Sequence, residues 1–221
     1  MKKYVLIIAG GVGKRMNMDI PKQFIPIASK PVLMHTITRF YDYDPNINII
    51  VIIPRAHVSL WKDLCVEFNF KIEHQIVNGG KERFYSVKNG LQKVDQNSLV
   101  LIHDGVRPLV SLETINRVAV TATEKGNAIP YMDIDQSVRS VKGMQNKAVD
   151  RSQFKLIQTP QGFHSNLIKD AYAKRFRKSF TDDASVLEAL KKEIHLVKGN
   201  HKNIKITSST DLHLVDCLMR I

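Results

Sequence analysis

Lys3-Tyr4-Val5-Leu6-Ile7-Ile8-Ala9, running straight into Gly10-Gly11-Val12-Gly13-Lys14-Arg15-Met16, is the segment on which the fold turns. A near-continuous apolar run without alternation is the pattern of a strand covered on both faces, as in a parallel sheet. Two lysines precede the run, which gives it a superficial likeness to a signal peptide. It is short, however, and ends in glycine and charge instead of a cleavage region, so it reads as a first strand.

Working outward, residues 31–43 carry Val32, Leu33, Ile37 and Phe40 at helical spacing, and residues 48–53 are a second apolar strand ending at Pro54. That is one β-α-β unit. Residues 58–68 predict a helix, 72–77 a strand, and 82–94 a helix after the Asn78-Gly79-Gly80 turn. Residues 98–103 predict a third buried strand, followed by Asp104-Gly105-Val106-Arg107-Pro108 and a helix over 112–125. Beyond it the pattern gives strands at 128–132 and 154–157, helices at 165–176 and 185–192, strands at 194–197 and 203–206, and a last helix from residue 211. Alternation of this kind predicts an open α/β sheet, whose ligands sit outside the carboxyl ends of the strands. Between residues 133 and 151 the periodicity fades, as in a surface β excursion or a small appendage. The length of 221 residues suits one core, and no repeat or linker divides it.

Composition narrows the class. Hydrophobic residues are 43% and charged residues 24%, which excludes a disordered chain. Cys65 and Cys217 are far apart and form no Cys-x-x-Cys pair, so neither zinc nor redox chemistry is indicated and a reducing compartment fits. No stretch approaches the roughly 20 apolar residues of a membrane span, so the expected location is cytoplasmic, without membrane. The formal charge of +12 suits either nucleic acid or small polyphosphates. The basic residues are spread from Lys2 to Arg220 with no long block, and aromatic residues do not interleave with a basic strip, so no nucleic acid is expected. Trp61, the methionines and the phenylalanines are accounted for as core.

The loop after the first strand permits two readings, a phosphate cradle or a structural glycine turn. It lacks the Gly-Lys-Ser/Thr ending of a Walker loop and the full spaced glycines of a dinucleotide fold. Lys14, Arg15 and Lys22 add cations beside it. Asp104 and Arg107 fall at a strand end, either as an internally paired turn or as an anion site. His103 is open between packing and polar support. Thr181-Asp182-Asp183-Ala184-Ser185 reads as a helix cap or as an acidic pair near a metal.

Taken in order, AGGVGKRM, PKQF, GGKERFYSV, HDGVRP, VDR, QTPQ, TDDAS and NIKIT span the chain, which resembles the 2-C-methyl-D-erythritol 4-phosphate cytidylyltransferases, within the wider family of sugar-alcohol phosphate cytidylyltransferases. The resemblance implies a Rossmann-like three-layer nucleotidyltransferase fold, α/β, with a mostly parallel central sheet and a protruding β-arm at about residues 133–153. It implies transfer of a cytidylyl group from CTP to 2-C-methyl-D-erythritol 4-phosphate with release of diphosphate, in isoprenoid precursor synthesis by the non-mevalonate route. Mg2+ or another divalent cation would accompany the nucleotide. The alternatives are a ribitol-5-phosphate cytidylyltransferase and, from a different class, a noncatalytic nucleotide- or nucleic-acid-binding module.

By the same resemblance, Arg15 and Lys22 would stabilise the transition state, and Ala9, Gly10, Gly11, Gly80, Lys81, Ser86 and Gly105 would join them around CTP. Asp104, Arg107, Gln136, Arg151, Thr159 and Lys205 would hold the acceptor, with no metal ligand assigned. An anionic phosphate monoester needs no general base, so alignment and cationic stabilisation suffice. Two departures stand out. Gly105-Val106 replaces the family's usual alanine pair, and Gln136 follows Asp135 where relatives commonly have Thr. The arm would reach across a homodimer and carry Arg151 to the partner's site.

Overall fold

The structure, a computed structural model, describes residues 1–11 and 20–220. Its elements in order are β1 (Lys3–Ile8), β2 (Pro26–Ile27), β3 (Lys30–Pro31), α1 (Val32–Tyr43), β4 (Asn48–Ile53), α2 (Val58–Glu67), β5 (Gln75–Asn78), α3 (Arg83–Leu91) and β6 (Leu99–Asp104). There follow α4 (Leu112–Lys125), β7 (Asn127–Asp133), β8 (Arg139–Lys142), β9 (Gln145–Ala148), β10 (Lys155–Ile157), β11 (Gln161–His164), α5 (Ser165–Ala173), α6 (Asp183–Glu188), β12 (Leu196–Lys198) and α7 (Ser209–Met219).

The main sheet runs β10-β7-β11-β6-β1-β4-β5, with β12 on the other side of β7. β5, β4, β1 and β6 are mutually parallel, and β12 is parallel to β7, while β11 and β10 run against their neighbours. The apolar run that opened the chain lies in the middle of this sheet, and its residues divide between both faces. Val5 and Ile7 join Leu33, Ile37, Trp61, Val118 and Ala122 on the side of α1, α2 and α4. Tyr4, Leu6 and Ile8 join Phe84, Val87, Ile168, Tyr172 and Leu187 on the side of α3, α5 and α6. This is the three-layer α/β architecture, and the two-sided burial is why β1 shows no alternation. A third cluster seats α7 against the loops, through Ile25, Val106, Ile206 and Val215.

Local chemistry sets several ends. Ser111 accepts from the Thr114 N–H to start α4, and Gly126 ends it in the left-handed region at φ 88°. Reciprocal capping boxes, Asp182 with Ser185 and Ser208 with Asp211, start α6 and α7. The helix-cap reading of the acidic pair therefore holds for Asp182.

The structure corrects several element readings: α6 runs Asp183–Glu188 where residues 185–192 were expected, and β12 runs Leu196–Lys198 where 194–197 were. β5 starts at Gln75, not at 72, because the Ile72 carbonyl is turned to the His74 ring. α5 stops at Ala173 instead of 176. Residues 203–206 form no strand, and the Ile206 N–H instead donates to the Val106 carbonyl. β11, which the pattern did not signal, fills the slot between β6 and β7.

The aperiodic stretch holds a β8–β9 hairpin whose strand residues are all exposed, turned at Gly143 with φ 59°. Val141, Met144, Phe154 and Leu156 leave apolar surface on and beside it. Among the described residues no helix is long and apolar enough to cross a membrane.

Candidate functional site

Three parallel strands end at one cavity of about 310 Å³, lined by residues from the β1, β5 and β6 ends together with Lys22, Gln23 and Lys205. A more voluminous hollow of about 1250 Å³ lies at the opposite, amino ends of β4 and β5, beside Asn48, Gln75 and Tyr41. The smaller cavity is the functional candidate, because a sheet of this kind presents its ligand site at the carboxyl ends and the polar loops converge there.

At the β1 end the Ala9 carbonyl accepts from Gln23 Nε2 at 2.9 Å, and Gly10 and Gly11 line the cavity. Gln23 belongs to a 3-10 turn, Lys22–Phe24, that brings Lys22 alongside: a side chain on Gly11 would come within 3.6 Å of the Lys22 stem. Lys22 Nζ donates to the Ile206 carbonyl at 2.8 Å. The turn rests on aromatic packing, since Phe24 stacks on the buried Trp61 with centroids 6.0 Å apart. Trp61 Nε1 in turn donates to His74 Nε2 at 2.9 Å.

At the β5 end the Gly80 N–H donates to Ser86 Oγ at 3.0 Å, and Ser86 donates to the Glu82 carbonyl at 3.2 Å. A Cβ on Gly80 would lie 2.3 Å from Tyr85 Cβ, so only glycine lets the loop close on α3. Lys81 and Arg83 add positive charge to this wall.

The β6 end supplies Asp104, on which three cations converge. Lys205 Nζ lies 3.0 Å and Arg107 Nε 3.1 Å from Oδ2, and Arg83 Nε lies 3.7 Å from Oδ1. Burial alone would push the Asp104 carboxyl up, but the charges of Arg83, Lys205 and Arg107 outweigh it and hold the group far below the usual carboxylate range. Arg83 also grips Asp183 with two bonds of 2.7 Å, and Tyr172 donates to the same carboxylate at 2.6 Å. Among the lining residues Lys22, Lys81, Arg83 and Lys205 outnumber Glu82 and Asp104, which leaves the pocket wall net positive. The Lys205 side chain keeps 41% exposure, enough to turn toward an incoming anion.

Of the residues singled out from sequence, the structure brings together Ala9, Gly10, Gly11, Lys22, Gly80, Lys81, Ser86, Asp104 and Lys205 as cavity lining. Arg107 stands one contact away, tied to Asp104 and, through Nη1, to the Asn203 carbonyl at 2.8 Å. Gly105 and Thr159 stand behind the wall: the Gly105 N–H donates to Ile8, its carbonyl accepts from Thr36, and Thr159 accepts from the Asp104 N–H. Gln136 and Arg151 lie exposed at the root of the hairpin, where Arg151 donates to the Asp135 carbonyl, outside the cavity of their own chain. Arg15, with Lys14, lies outside the described residues.

Arg83 and Asp183 lie in segments that the sequence singles out, the Gly79-Gly80 turn and the acidic pair, but their bond to each other across 100 residues carries no local signal. Gln23 and Asn203 were missed, because each acts through a partner distant in sequence.

A divalent cation fits poorly as a protein-bound group. Asp104 has three cations around its carboxylate and Asp183 is fully buried against Arg83 and Tyr172, so a metal on either would compete with those pairings. Among the described residues no three His, Cys, Asp or Glu side chains cluster as metal ligands.

Comparison with known proteins gives a uniform result. Residues 4–221 match the family model described as IspD, 2-C-methyl-D-erythritol 4-phosphate cytidylyltransferase. The chain is 47% identical over 219 residues to a protein of that name from Bacteroides thetaiotaomicron, covering 99% of this chain and 100% of that protein. It is 38% identical to one from Clostridioides difficile, covering 98% and 93%. A crystal structure of a 2-C-methyl-D-erythritol 4-phosphate cytidylyltransferase from Thermus thermophilus superposes with a TM-score of 0.82 at 30% identity, with 100% of both chains covered.

Proposed function

The chain belongs to the 2-C-methyl-D-erythritol 4-phosphate cytidylyltransferase family, and we propose that its chemistry takes place in the cavity at the carboxyl ends of β1, β5 and β6. The enzyme transfers the cytidylyl group of CTP to 2-C-methyl-D-erythritol 4-phosphate. The products are 4-diphosphocytidyl-2-C-methyl-D-erythritol and diphosphate, a step of non-mevalonate isoprenoid precursor synthesis. A phosphate oxygen of the acceptor bonds to the α-phosphorus as the bond to the diphosphate leaving group breaks.

Gly10, Gly11, Gly80 and Ser86 form the nucleotide wall in this reading; the Gly80 N–H is held by Ser86 Oγ, whose hydroxyl still has a lone pair to offer. Lys22 and Lys81 face the polyphosphate, and Arg15 belongs to the same group by its place in the glycine loop. Lys205 and Arg107, set by Asp104, meet the acceptor phosphate. The observation that carries the proposal is the meeting of Lys22, Lys81, Arg83 and Lys205 at one glycine-walled cavity. Fixed cations stabilise the charge that builds on the phosphoryl oxygens without reorganising. Magnesium, where it accompanies the nucleotide, would supply further positive charge to the phosphates beside Lys22, Lys81 and Lys205.

The hairpin is proposed as the arm of a homodimer. A two-stranded ribbon has little stability alone, and the exposed Val141, Met144, Phe154 and Leu156 beside it are surface that a second copy would cover. Gln136 and Arg151 would then complete the partner's acceptor site. Diphosphate release with CTP, magnesium and either acceptor tests the assignment. Turnover is expected with 2-C-methyl-D-erythritol 4-phosphate, and turnover with ribitol 5-phosphate alone would reject it.

A further inference from the structure

Behind Asp104 lies a hydrogen-bonded chain whose direction can be worked out atom by atom. The Asp104 N–H donates to Thr159 Oγ1 at 3.1 Å. Thr159 Oγ1 lies 2.9 Å from His103 Nδ1, and His103 Nε2 lies 3.1 Å from the Arg107 carbonyl. A carbonyl can only accept, so Nε2 carries the proton and Nδ1 of the neutral ring is an acceptor. The Thr159 hydroxyl therefore donates its single proton to Nδ1 while accepting from Asp104. His103 is fully buried, and its ring meets Phe40 edge-on at 4.9 Å. Burial, helped by the charges of Arg107 and Lys205, outweighs the hydrogen bond to the Arg107 carbonyl and the charge of Asp104 and pushes the imidazole down from 6.5 to about 4, so the ring stays neutral near pH 7.

The chain brackets the acceptor side of the cavity. One end holds the backbone of Asp104, the other the backbone of Arg107, and between them the loop must turn so that both side chains meet at 3.1 Å. Asn203 extends the frame: its Nδ2 donates to the Thr159 carbonyl at 2.7 Å and its own carbonyl accepts from Arg107 Nη1. Nothing in the frame is exposed enough to touch substrate, yet each member is one covalent or hydrogen-bonded step from Asp104, Arg107 or Lys205.

We infer that His103, with Thr159, is a positioning residue for acceptor binding: a neutral imidazole in the Nε2–H form that bridges Thr159 to the Arg107 carbonyl and fixes the Asp104–Arg107–Lys205 cluster. The inference rests on the reading of that cluster as the acceptor-phosphate site. It gives a specific use to a histidine that carries no catalytic proton and to a threonine that has none left to donate to phosphate.

Steady-state kinetics on the full chain, varying each substrate separately, tests it with four variants. Thr159→Val removes only the hydroxyl, and His103→Leu removes both ring partners. Both are expected to raise KM for the acceptor about tenfold while KM for CTP stays within about twofold. His103→Gln, whose amide can donate and accept, is expected to recover most of that loss. Arg107→Ala reports on the premise by raising the acceptor KM on its own. Unchanged acceptor KM in Thr159→Val, beside a raised value in Arg107→Ala, overturns the positioning role alone. Unchanged acceptor KM in Arg107→Ala overturns the site reading and the inference with it. If His103→Leu does not fold, Thr159→Val decides. Equal loss for both substrates in Thr159→Val with a lowered melting temperature would mark the chain as merely structural and reject the inference.

Discussion

Asp104 and its neighbour His103 show how two adjacent titratable residues are driven in ways that serve one site. The carboxylate is kept ionised by three cations and the imidazole is kept neutral by burial among them. Both shifts are downward, and both cause stability to be lost in acid, but in different pH windows. As pH falls below 6.5 the unfolded chain protonates its histidine while native His103 resists until about 4, so the native state loses stability between those values. Asp104 acts lower down: its contribution is present above the ordinary carboxylate value of 3.8 and is lost as pH falls below it. His103→Gln removes the first loss and not the second. Melting curves collected between pH 8 and pH 4 are expected to show the variant gaining on the wild type as pH drops through about 6. Parallel curves for the two proteins would contradict the assignment of a buried neutral ring. His103 is also a case where the sequence left packing and polar support undecided, because the deciding partner, Thr159, lies on a different strand connection.

Among elements, the reading succeeded where local signals were sufficient and failed where pairing decided. The predicted range of α4, residues 112–125, is its observed range, since Ser111 and Gly126 are chemically explicit stops at its two ends. β11 left no such mark. Gln161-Gly162-Phe163-His164 has no apolar run and no clear alternation, and it is a strand because β6 and β7 present unpaired edges on either side of it. Gly162 is needed there, as a Cβ would come within 2.8 Å of Val118 on α4. The contact of α3 with α6 is another long-range decision. Arg83 reaches across 100 residues of sequence to Asp183, and the pair is screened from water on the carboxylate side. Asp183→Asn leaves the guanidinium short of its counter-charge. Because the Arg83 side chain retains 30% exposure, the expected loss is at the low end for a broken buried pair, about 3 kcal/mol by urea denaturation. A change within about 0.5 kcal/mol would show that Asp104 alone can neutralise Arg83.

On the scale of the whole molecule, the excess of 33 Lys and Arg over 21 Asp and Glu is put to use locally. Lys22, Lys81 with Arg83, and Lys205 come from three separate regions and line one cavity, so a diffuse basic bias in sequence becomes a concentrated field at the carboxyl ends of the sheet. In the proposed homodimer the exposed hairpin would pair two copies, with Arg151 of one serving the other. If it does, Lys22→Ala and Arg151→Ala homodimers are each expected to be inactive, while mixing them regains roughly a quarter of wild-type activity per site, through the heterodimer that retains one intact composite site. Verified heterodimers without recovery would place Arg151 in the site of its own chain or in none.

By itself the sequence determined the order and kind of the main elements, because burial on two faces and helical periodicity are local patterns that each segment records within its own residues. It also determined the chemistry on offer, glycine loops and cations at strand ends, since residue type needs no partner to be known. Only the tertiary structure decided which of these groups meet. The pairings of Lys205 with Asp104, Arg83 with Asp183 and His103 with Thr159 depend on strand order, register and the angle of each crossover. Those are properties of the packed sheet, settled when apolar faces compete for the same interior, and no short stretch of the chain carries them alone.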